Sequence, residues 1–489
     1  MSDFIIENHP LTEYSQYNGQ VVSNDTSNAP DDLSDRQMAK KIALAVKQSG
    51  GTAYYVGGYV RDTLLGIDNK DIDIEVHGIS VEELTKILDA LGQRLSMGES
   101  FGIFGLKGYT IDIAMPRKEK LRGKGHRDFE MFVDPWIGTK KAAMRRDFTV
   151  NAMMMDVLTG EVIDHFGGMD DLKHKILRHV STESFPEDAL RVLRAAQFAA
   201  RFHFTVAEET VALCRDISLS ALSCERVNDE LKKALLKAQH PSIFFKTLRQ
   251  MNQLSVWFPE VEALIGVEQN PKYHAEGDVW NHTMMVLDVA ATFRDRAEYP
   301  YAFMLTALTH DFGKAICTEL RDGKLCSYQH EIEGLPLIQA FLRRVTNENK
   351  VMQYVLNLAE HHMKPNAMAA QASSVKATNK MFDLAISPED LLLFAKADHL
   401  GRLFNGELVS YDDFLNQRFE IYQKTMEKPY VMGRDLIQAG LKPNTHFSDI
   451  LQYAHKLRLA GVDKETALKQ TLSYAKDLNR KGDDISPKS

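Results

Sequence analysis

Apolar and polar residues alternate in short runs over the first quarter of the chain. Residues 53–56 predict a strand, the glycine pair that follows predicts a tight turn, and residues 59–66 predict a helix ended by Gly66. Residues 71–76 and 109–114 then alternate with a period of two, which is typical of strands. The pattern therefore predicts a strand–turn–helix unit and two further strands.

The second half of the chain has a helical pattern. A helix is predicted after residues 274–283, an apolar helix ends at His310, and the chain beyond residue 405 is again helical. The hydrophobic pattern therefore predicts a mixed α and β first part and a helical remainder.

Acidic residues lie on both predicted strands. Because side chains two residues apart on a strand point to the same face, Asp71 and Asp73 should lie side by side. Two carboxylates that close repel each other unless a cation lies between them, and Mg²⁺ takes oxygen ligands. Asp112 supplies a third carboxylate. Together the three suit metal-assisted phosphoryl transfer, although single acids of this kind are ordinarily solvated.

Two basic segments suit phosphate binding. Gly57 and Gly58 form a turn at which backbone N–H groups can approach a phosphate, and Arg61 lies one turn into the next helix. Arg145 and Arg146 can clamp an anion with two guanidinium groups. Alone, each signal is weak, because glycine pairs usually just make turns and paired arginines are often solvated.

Residues 187–194 predict a helix with Asp188 and Arg191 on one face. A carboxylate that accepts beside a guanidinium that donates can recognise the Watson–Crick edge of a base. The alternative interpretation is a salt bridge between these two side chains on the surface of the helix.

A second kind of chemistry is indicated downstream. His282, the pair His310 and Asp311, and Asp398 lie on separate predicted helices. Imidazoles with carboxylates are a suitable ligand set for a divalent transition metal that activates water. A lone histidine is usually a core or surface residue, but this combination is harder to dismiss.

Composition restricts the class of protein. The 489 residues allow about three domains, and the four cysteines have no C-x-x-C spacing, which indicates reduced thiols in the cytosol. No apolar run is long enough to span a membrane, and residues 1–36 predict a disordered tail.

The net charge of −8 argues against a globally basic nucleic-acid binder. Nucleic acid would then bind at local basic patches, for which one helical stretch offers candidates. These are Lys232, Lys233, Lys237, Lys246 and Arg249. A solvated helix face is the alternative.

Four ordered motifs carry a family resemblance. G-G-x-V-R-D, D-I-D, R-R-D-F-T-x-N-A and E-D-x-L-R-x-L-R-A resemble the class II tRNA nucleotidyltransferases over roughly residues 37–250. These CCA-adding enzymes share head and neck domains with bacterial poly(A) polymerases, and their catalytic core with the DNA polymerase beta superfamily. Residues 270–405 resemble the HD phosphohydrolase superfamily.

The first resemblance implies a role for each matching residue. Asp71 and Asp73 would hold Mg²⁺, with Asp112 as the third catalytic carboxylate. The nucleotide would be bound by a set of glycines, arginines and one aspartate: Gly57, Gly58, Arg61, Arg146, Asp188, Arg191 and Arg194. Within that set Asp188 and Arg191 would select C and then A, and Glu225 with Arg226 would brace their helix.

The second resemblance makes His282, His310, Asp311 and Asp398 the ligands of a transition metal such as Ni²⁺, Mn²⁺ or Co²⁺. It implies hydrolysis of phosphate esters, including 2′,3′-cyclic phosphates. Three more histidines are candidates for a second metal or for the substrate phosphate: His330, His361 and His362.

Departures from the first family's pattern are few. Gln197 stands where an arginine is common, which puts one phosphate contact in doubt. His165 and Asn444 replace a usual proline and glycine. Residues 117–134 are polar and contain glycines, and they predict a mobile loop that in the family helps to switch nucleotide specificity.

The expected fold is an α+β head of the DNA polymerase beta nucleotidyltransferase type, followed by an all-α neck, an HD domain and a helical C-terminus. The expected boundaries are a tail at 1–36, a head at 37–170, a neck at 171–260, an HD domain at 261–405 and a C-terminal region at 406–489.

The expected function is addition of CCA to tRNA from CTP and ATP in the cytoplasm, with no membrane partner. Poly(A) polymerase or partial (CC- or A-) addition is the alternative, and a non-catalytic RNA-binding protein is a third interpretation. The oligomeric state does not follow from the sequence.

Overall fold

The computed structural model describes residues 32–98, 102–121, 129–404 and 409–483. The chain divides into two compact units. The first comprises the residues up to Gly138 together with Met154–Ile163, and the second comprises Thr139–Met153 and the residues from Asp164 onward. Most of the predicted tail, residues 1–31, lies outside the described residues.

A seven-stranded mixed sheet organises the first unit. The strands of this unit, in chain order, are β1 (Thr52–Val56), β2 (Ile72–His77), β3 (Arg94–Gly98), β4 (Ile103–Leu106), β5 (Ile111–Ala114), β6 (Arg117–Leu121), β7 (Phe129–Val133), β8 (Met154–Asp156) and β9 (Val162–Ile163). The sheet order is β3-β4-β5-β2-β1-β8-β9, and β6 pairs with β7 as a separate antiparallel ribbon.

Three helices complete the first unit: α1 (Asp32–Gln48), α2 (Gly58–Leu64) and α3 (Val81–Leu91). On α1 the buried side chains Ala39, Ile42, Ala43 and Val46 recur at helical spacing. They form the apolar stripe that such a helix packs against a core.

Helices dominate the second unit. Those that precede residue 270 are α4 (Thr139–Met144), α5 (Gly168–His174), α6 (Leu190–Phe202), α7 (Glu208–Arg215), α8 (Cys224–Lys237), α9 (Ser242–Gln250) and α10 (Pro259–Glu262). Two short strands, β10 (Ile176–Leu177) and β11 (Thr205–Val206), pair in parallel among them.

The later helices of this unit are α11 (Val279–Phe293), α12 (Pro300–Thr309), α13 (Lys314–Cys317), α14 (His330–Glu333), α15 (Leu335–Val345), α16 (Asn349–His361), α17 (Lys364–Ala370), α18 (Val375–Leu384), α19 (Pro388–Leu400), α20 (Asp412–Glu427), α21 (Gly433–Gln438), α22 (Phe447–Leu459) and α23 (Lys464–Asp483). An antiparallel pair, β12 (Glu319–Arg321) and β13 (Lys324–Cys326), lies between α13 and α14.

The local predictions in the first unit are mostly confirmed. The strand at 53–56 is β1, and the helix that follows the glycine pair is α2, after which Gly66 has a left-handed φ of 70°. The predicted strand at 109–114 begins at Ile111. Gly66 therefore ends the helix as expected, because glycine adopts positive φ without a Cβ clash.

The prediction of a mobile loop over residues 117–134 is wrong at both of its ends. Residues Arg117–Leu121 and Phe129–Val133 form β6 and β7, which pair from Arg117 with Val133 to Leu121 with Phe129. Residues 122–128 lie outside the described residues. The aromatic and β-branched residues Phe129, Phe132 and Val133, which favour strands, were the missed signal.

All four cysteines have free thiols, as their spacing indicated. Among the described residues, none of the helices combines the length and the apolar character that crossing a membrane requires.

Candidate functional sites

Two of the three predicted carboxylates of the first unit lie on neighbouring strands, and the third directly precedes one of them. Strand β2 pairs in parallel with β5, and this register places Asp73 directly opposite Asp112. Asp71 is exposed just before β2, and its backbone N–H donates to Asn69 Oδ1 at 3.0 Å. We call Asp71, Asp73 and Asp112 the carboxylate row.

The carboxylate row suits a cation. The intervening residues Ile72 and Ile74 are buried, so the acidic positions belong to the opposite face of the strand. Among the described residues, Asp71 and Asp112 have no salt bridge to a basic side chain. Carboxylates placed side by side repel each other unless a cation lies between them, and a hard metal ion takes such oxygen ligands.

Glu75 continues the alternation of β2 and was missed in the sequence. It is buried, and its Oε1 lies 2.9 Å from His77 Nε2. The same period of two that identified Asp71 and Asp73 would have placed Glu75 on their face.

Arg61 lies next to the glycine turn and is held there by Asp62. Gly57 has a left-handed φ of 67°, and a Cβ at Gly58 would lie 3.4 Å from Arg61 Nη2. Arg61 is only 4% exposed, and its Nε donates to Asp62 Oδ1 at 2.7 Å. The guanidinium is therefore held by the residue that follows it.

Asp62 and Asn69 link this turn to the carboxylate row, and sequence reasoning missed both. Asn69 Nδ2 donates to Asp62 Oδ2 at 2.8 Å, and Asn69 Oδ1 accepts from the backbone of Asp71. Asp62 was visible as the last letter of the G-G-x-V-R-D motif. Asp62 and Asn69 therefore connect Arg61 to Asp71 and orient the glycine turn and this carboxylate together.

In the second unit, the prediction of a helix through Asp188 is wrong. Helix α6 begins at Leu190, and Asp188 has an extended backbone with φ −126° and ψ 103°. Its Oδ1 accepts from the backbone N–H of Leu190 at 3.1 Å. Asp188 therefore caps the start of α6 from outside, as aspartate commonly does.

The alternative interpretation, a salt bridge between Asp188 and Arg191, is also wrong, because within the described part of the chain these two side chains have other partners. Arg226 Nη2 instead donates to both carboxylate oxygens of Asp188, at 2.8 and 3.0 Å. Arg191 donates from Nη2 to the backbone carbonyl of Arg145 at 2.8 Å and from Nη1 to that of Ser184. The two side chains are thus fixed separately.

Arg194 is engaged by Asp147, a partner that the sequence reasoning missed. Its Nε and Nη2 lie 2.8 and 2.7 Å from Asp147 Oδ2. Asp147 Oδ1 accepts from the backbone of Phe148 and from Asn151 Nδ2. Burial alone would raise the pKa of Asp147, but Arg194 and Asn151 hold it below its ordinary value. Arg194 is therefore in a structural ion pair within the R-R-D-F-T-x-N-A segment.

The structure also bears on two expected RNA contacts, one at Gln197 and one along the basic helical stretch. Gln197 is 1% exposed within α6, so its side chain lies in the helical core. In the basic stretch, Lys233 pairs with Glu230 at 2.8 Å, and Arg249 lies over the ring of Trp280 at 5.3 Å from its centroid. These contacts favour a structural role for both cations.

The predicted ligands of the second site converge. His282, on α11, places Nε2 at 3.1 Å from Asp398 Oδ1 of α19 and at 3.5 Å from Asp311 Oδ2. His310 Nε2 lies 3.2 Å from the same Asp311 oxygen and 3.9 Å from Asp398 Oδ1. All four side chains are nearly inaccessible to solvent. We call them the His/Asp cluster.

The His/Asp cluster fits a metal ion. His310 Nε2 and both oxygens of Asp311 are buried without an aligned hydrogen bond, although ion-pair distances are short. Burial would raise the pKa of Asp311, but His310 and Lys314 hold it well below its ordinary value. Buried carboxylate and imidazole atoms that face one another without hydrogen bonds are suited to bind a cation between them.

Two of the three additional histidines join this site, and one does not. His330 Nε2 lies 3.1 Å from Asp311 Oδ1, and His362 Nε2 lies 3.8 Å from that oxygen. Asp311, His330 and His362 can therefore hold a second ion. His361 instead places Nδ1 at 2.9 Å from Lys364 Nζ.

Backbone contacts set the imidazole orientations. The Nδ1 atoms of His310, His330 and His362 lie 3.1, 2.8 and 2.6 Å from backbone carbonyl oxygens, to which they donate. Each Nε2 is therefore unprotonated, and its lone pair points toward the cluster. Burial and the neighbouring imidazoles lower the pKa of His362 to about 3, so it stays neutral and able to bind metal.

Glu276 and His274 support the cluster and were missed in the sequence. Glu276 Oε1 lies 3.1 Å from His282 Nδ1 and 2.7 Å from His274 Nδ1. A carboxylate behind a metal-binding imidazole orients its ring. Both residues stand in the segment that introduced His282, so their proximity in sequence was the available signal.

Comparisons with known proteins agree with the fold. Two family models match: the Poly A polymerase head domain over residues 53–178, and the probable RNA and SrmB-binding site of polymerase A over residues 203–265. The Multifunctional CCA protein of Shewanella denitrificans is 38% identical over 424 residues, covering 84% of this chain and 97% of that protein.

Solved structures share the fold at lower identity. The Thermotoga maritima CCA-adding enzyme complexed with tRNA is 22% identical with a TM-score of 0.59, covering 92% of this chain and 96% of that one. The Bacillus stearothermophilus CCA-adding enzyme in complex with CTP is 21% identical with a TM-score of 0.60, covering 91% and 98%. With the 38% identical relative, these findings show that the chain belongs to the CCA-adding nucleotidyltransferase family that includes the multifunctional CCA proteins.

Proposed function

We propose that this enzyme completes the 3′ end of tRNA by adding C, C and A from CTP and ATP, with Mg²⁺ held by the carboxylate row. The parallel register that sets Asp73 opposite Asp112 is the observation that carries the proposal. Similar solved structures are CCA-adding enzymes complexed with tRNA and with CTP, which supports these substrates.

Each cycle forms one bond and breaks another. The 3′ oxygen of the tRNA bonds to the α-phosphorus of the nucleotide, the bond to pyrophosphate breaks, and the hydroxyl proton leaves to solvent. Mg²⁺ bound here would neutralise charge on the phosphates. Asp71, Asp73 and Asp112 hold and orient that cation, and Gly57, Gly58 and Arg61 bind the nucleotide.

Asp188 and Arg191 select the base in this proposal. The exocyclic amine shared by cytosine and adenine donates to the Asp188 carboxylate, whose side chain is 37% exposed. Arg191 donates to a ring acceptor of the base. Arg226 and the cap on α6 keep Asp188 in place, and Glu225 with Arg226 belongs to the bracing motif of α8. Arg146 joins the nucleotide site, whereas Arg194 acts through Asp147.

The His/Asp cluster is proposed as a metal-dependent phosphohydrolase. A transition metal such as Ni²⁺, Mn²⁺ or Co²⁺ would supply an activated water. Hydrolysis would bond a water oxygen to phosphorus and break the bond to one ribose oxygen, which would take up a proton from that water. The buried, unaligned atoms of His310 and Asp311 support this role. Phosphomonoesters and 2′,3′-cyclic phosphates are the proposed substrates.

We infer a cytoplasmic location because the proposed substrate is tRNA, and the four free thiols agree with this location. The decisive experiment supplies tRNA that ends before CCA with CTP, ATP or both, and measures the added length and sequence. The proposal expects CC with CTP alone and CCA with both. Addition that stops at CC when both nucleotides are present would support a CC-adding enzyme. Addition of A only, to a tRNA that already ends in CC, would support an A-adding enzyme. Addition of a long A tract would support a poly(A) polymerase.

A further inference from the structure

A small exposed hairpin lies in the sequence between two residues of the second candidate site. It consists of β12 and β13 and occupies the chain between Asp311 and His330, both of which belong to the proposed metal-binding set. Asp322 and Gly323, with φ of 48° and 72°, form its two-residue turn. Asp-Gly with two positive φ angles is typical of a tight hairpin. Neither metal binding nor nucleotidyl transfer, as described above, uses this hairpin.

Both ends of the hairpin are attached to the metal-binding residues. Before β12, Lys314 Nζ lies 2.7 Å from Asp311 Oδ2. After β13, the carbonyl of Ser327 accepts from His330 Nδ1 at 2.8 Å. A Cβ at Gly313 would lie 2.1 Å from the His330 carbonyl oxygen, so the two ends pack with no room for a side chain. The hairpin is therefore fixed relative to the site.

An aromatic ring and a cation are presented on this hairpin. Tyr328 is 64% exposed, and the guanidinium of Arg321 lies 5.5 Å from its ring centroid. Leu320 is 71% exposed beside Arg321. Tyr328 precedes His330 by two residues, which limits their Cα separation to about 7 Å. An exposed aromatic side chain thus begins within a nucleotide's length of His330 and the His/Asp cluster.

We propose that Tyr328, with Arg321 against its ring, is a stacking platform for the base of a nucleotide whose phosphate ester is bound at the His/Asp cluster. The inference rests on the proposed phosphohydrolase and adds the residues that hold the base of its substrate. Stacking on an aromatic ring tolerates any base, since every base has a π-face, and a nearby arginine adds a cation–π contribution.

The test compares a nucleotide with a phosphate ester that has no ring. Hydrolysis of 2′,3′-cyclic AMP and of glycerol 2-phosphate is measured in the full-length protein with Ni²⁺. Tyr328→Ala should raise KM for 2′,3′-cyclic AMP about tenfold with kcat nearly unchanged, which corresponds to about 1.4 kcal/mol. Hydrolysis of glycerol 2-phosphate should not change. Tyr328→Phe, which keeps the ring, should behave as wild type.

Tyr430→Ala is the matched control. Tyr430 is also exposed and has a guanidinium over its ring, that of Arg458, but it lies in the C-terminal helical region. This variant should leave KM for 2′,3′-cyclic AMP unchanged. An equal rise in KM for both tyrosine variants, or an unchanged KM in Tyr328→Ala, would overturn the stacking platform.

A binding measurement separates this inference from the hydrolase proposal. Saturation-transfer NMR with adenosine, which has no phosphate to hydrolyse, should show a signal on the adenine protons that decreases in Tyr328→Ala and persists in Tyr430→Ala. If wild-type protein hydrolyses neither ester, the hydrolase is wrong while this decrease still supports stacking. Identical adenine signals in wild type and Tyr328→Ala would reject the platform whatever the hydrolysis result.

Discussion

Arg226 Nη2 donates to both carboxylate oxygens of Asp188, at 2.8 and 3.0 Å, across 38 residues of chain. Asp188 therefore depends on α8 for its position, whereas Arg191, which the sequence predicted to read the base with it, is held by backbone carbonyls. In the proposed mechanism Asp188 reads the base and Arg226 positions Asp188, and this division of roles can be tested.

Loss of the base-reading residue should change nucleotide choice. Asp188→Ala should raise UTP or GTP misincorporation relative to CTP and ATP, because uracil and guanine present a carbonyl where cytosine and adenine present an amine. The lost discrimination should be about 1–3 kcal/mol. Single-nucleotide addition to tRNA ending before CCA, with each nucleotide supplied separately, measures it. An equal loss for all four nucleotides would make Asp188 a purely structural residue.

Removing the positioning residue should have a weaker effect of the same kind. In Arg226→Ala the Asp188 carboxylate remains but loses its ion pair, so misincorporation should rise by less than in Asp188→Ala. Arg226→Lys should restore part of the selectivity, since a lysine can keep the charge but not the geometry of a guanidinium. Arg215→Ala, at an exposed arginine of α7, is the control and should select nucleotides as wild type does.

The carboxylate row should be required for every addition. Asp71→Asn or Asp112→Asn should slow both C and A addition by at least about a hundredfold, because the metal supplies several kcal/mol of charge stabilisation. Hydrolysis at the His/Asp cluster should persist. Asp68→Asn is the control, since Asp68 is exposed and forms a surface pair with Arg36 at 3.7 Å. Near wild-type CMP incorporation by Asp71→Asn would exclude the metal assignment.

The ion pair of buried Asp147 with the partly exposed Arg194 should contribute to stability in a pH-dependent way. Asp147→Asn should lower the free energy of unfolding at pH 7 by about 2 kcal/mol, because it removes the charge-assisted hydrogen bonds between this carboxylate and the guanidinium. The pKa of Asp147 is lower in the folded protein than its ordinary value near 3.8. Its contribution is therefore complete above that value and is lost as pH falls through the folded pKa.

Urea unfolding of wild type and Asp147→Asn between pH 7 and pH 3 measures this effect. The difference in stability between the two proteins should be constant down to about pH 4 and shrink below it. The exposed Asp170, changed to Asn, serves as control and should show almost no difference at any pH. A difference that grows as the pH is lowered would contradict the assigned direction of the pKa shift.

The two proposed ions, one at the His/Asp cluster and one at Asp311, His330 and His362, should be removable separately by mutation. His362→Ala should reduce the bound Ni²⁺ or Mn²⁺ from two ions to one, because it removes a ligand of the group around Asp311 Oδ1. His361→Ala is a matched control at the adjacent buried position, and its metal content should stay at two. Metal content after gel filtration decides between these outcomes, and a loss in the His361 variant alone would exclude the grouping.

The Glu276 carboxylate behind the His282 imidazole should also affect metal binding. Glu276→Gln should weaken metal affinity about 10- to 100-fold, since Glu276 orients His282 through its Nδ1. His310→Ala combined with Asp311→Ala should abolish ester hydrolysis and leave nucleotide addition intact. Retained hydrolysis in that double variant would contradict the His/Asp cluster as the catalytic site.

Local features were predictable because they depend on neighbouring residues. The period of two on β2 set Asp71 and Asp73 on one face, and the positive φ at Gly57 and Gly66 follows from the absence of a Cβ. The Asp-Gly turn at 322 and 323 was equally visible and was overlooked. The helix through Asp188 failed because an aspartate accepts from the backbone two residues on and so begins a helix instead of continuing it.

By itself the sequence determined the order of the motifs, the family and the residue types that each site needs. Only the tertiary structure decided which of them meet: Asp73 with Asp112 through a parallel register, Arg194 with Asp147, and His282 with Asp398 across 116 residues. The physical reason is that backbone preferences act over a few residues, whereas the partner of a charged side chain is set by how buried apolar faces pack, and packing joins segments that are distant in sequence.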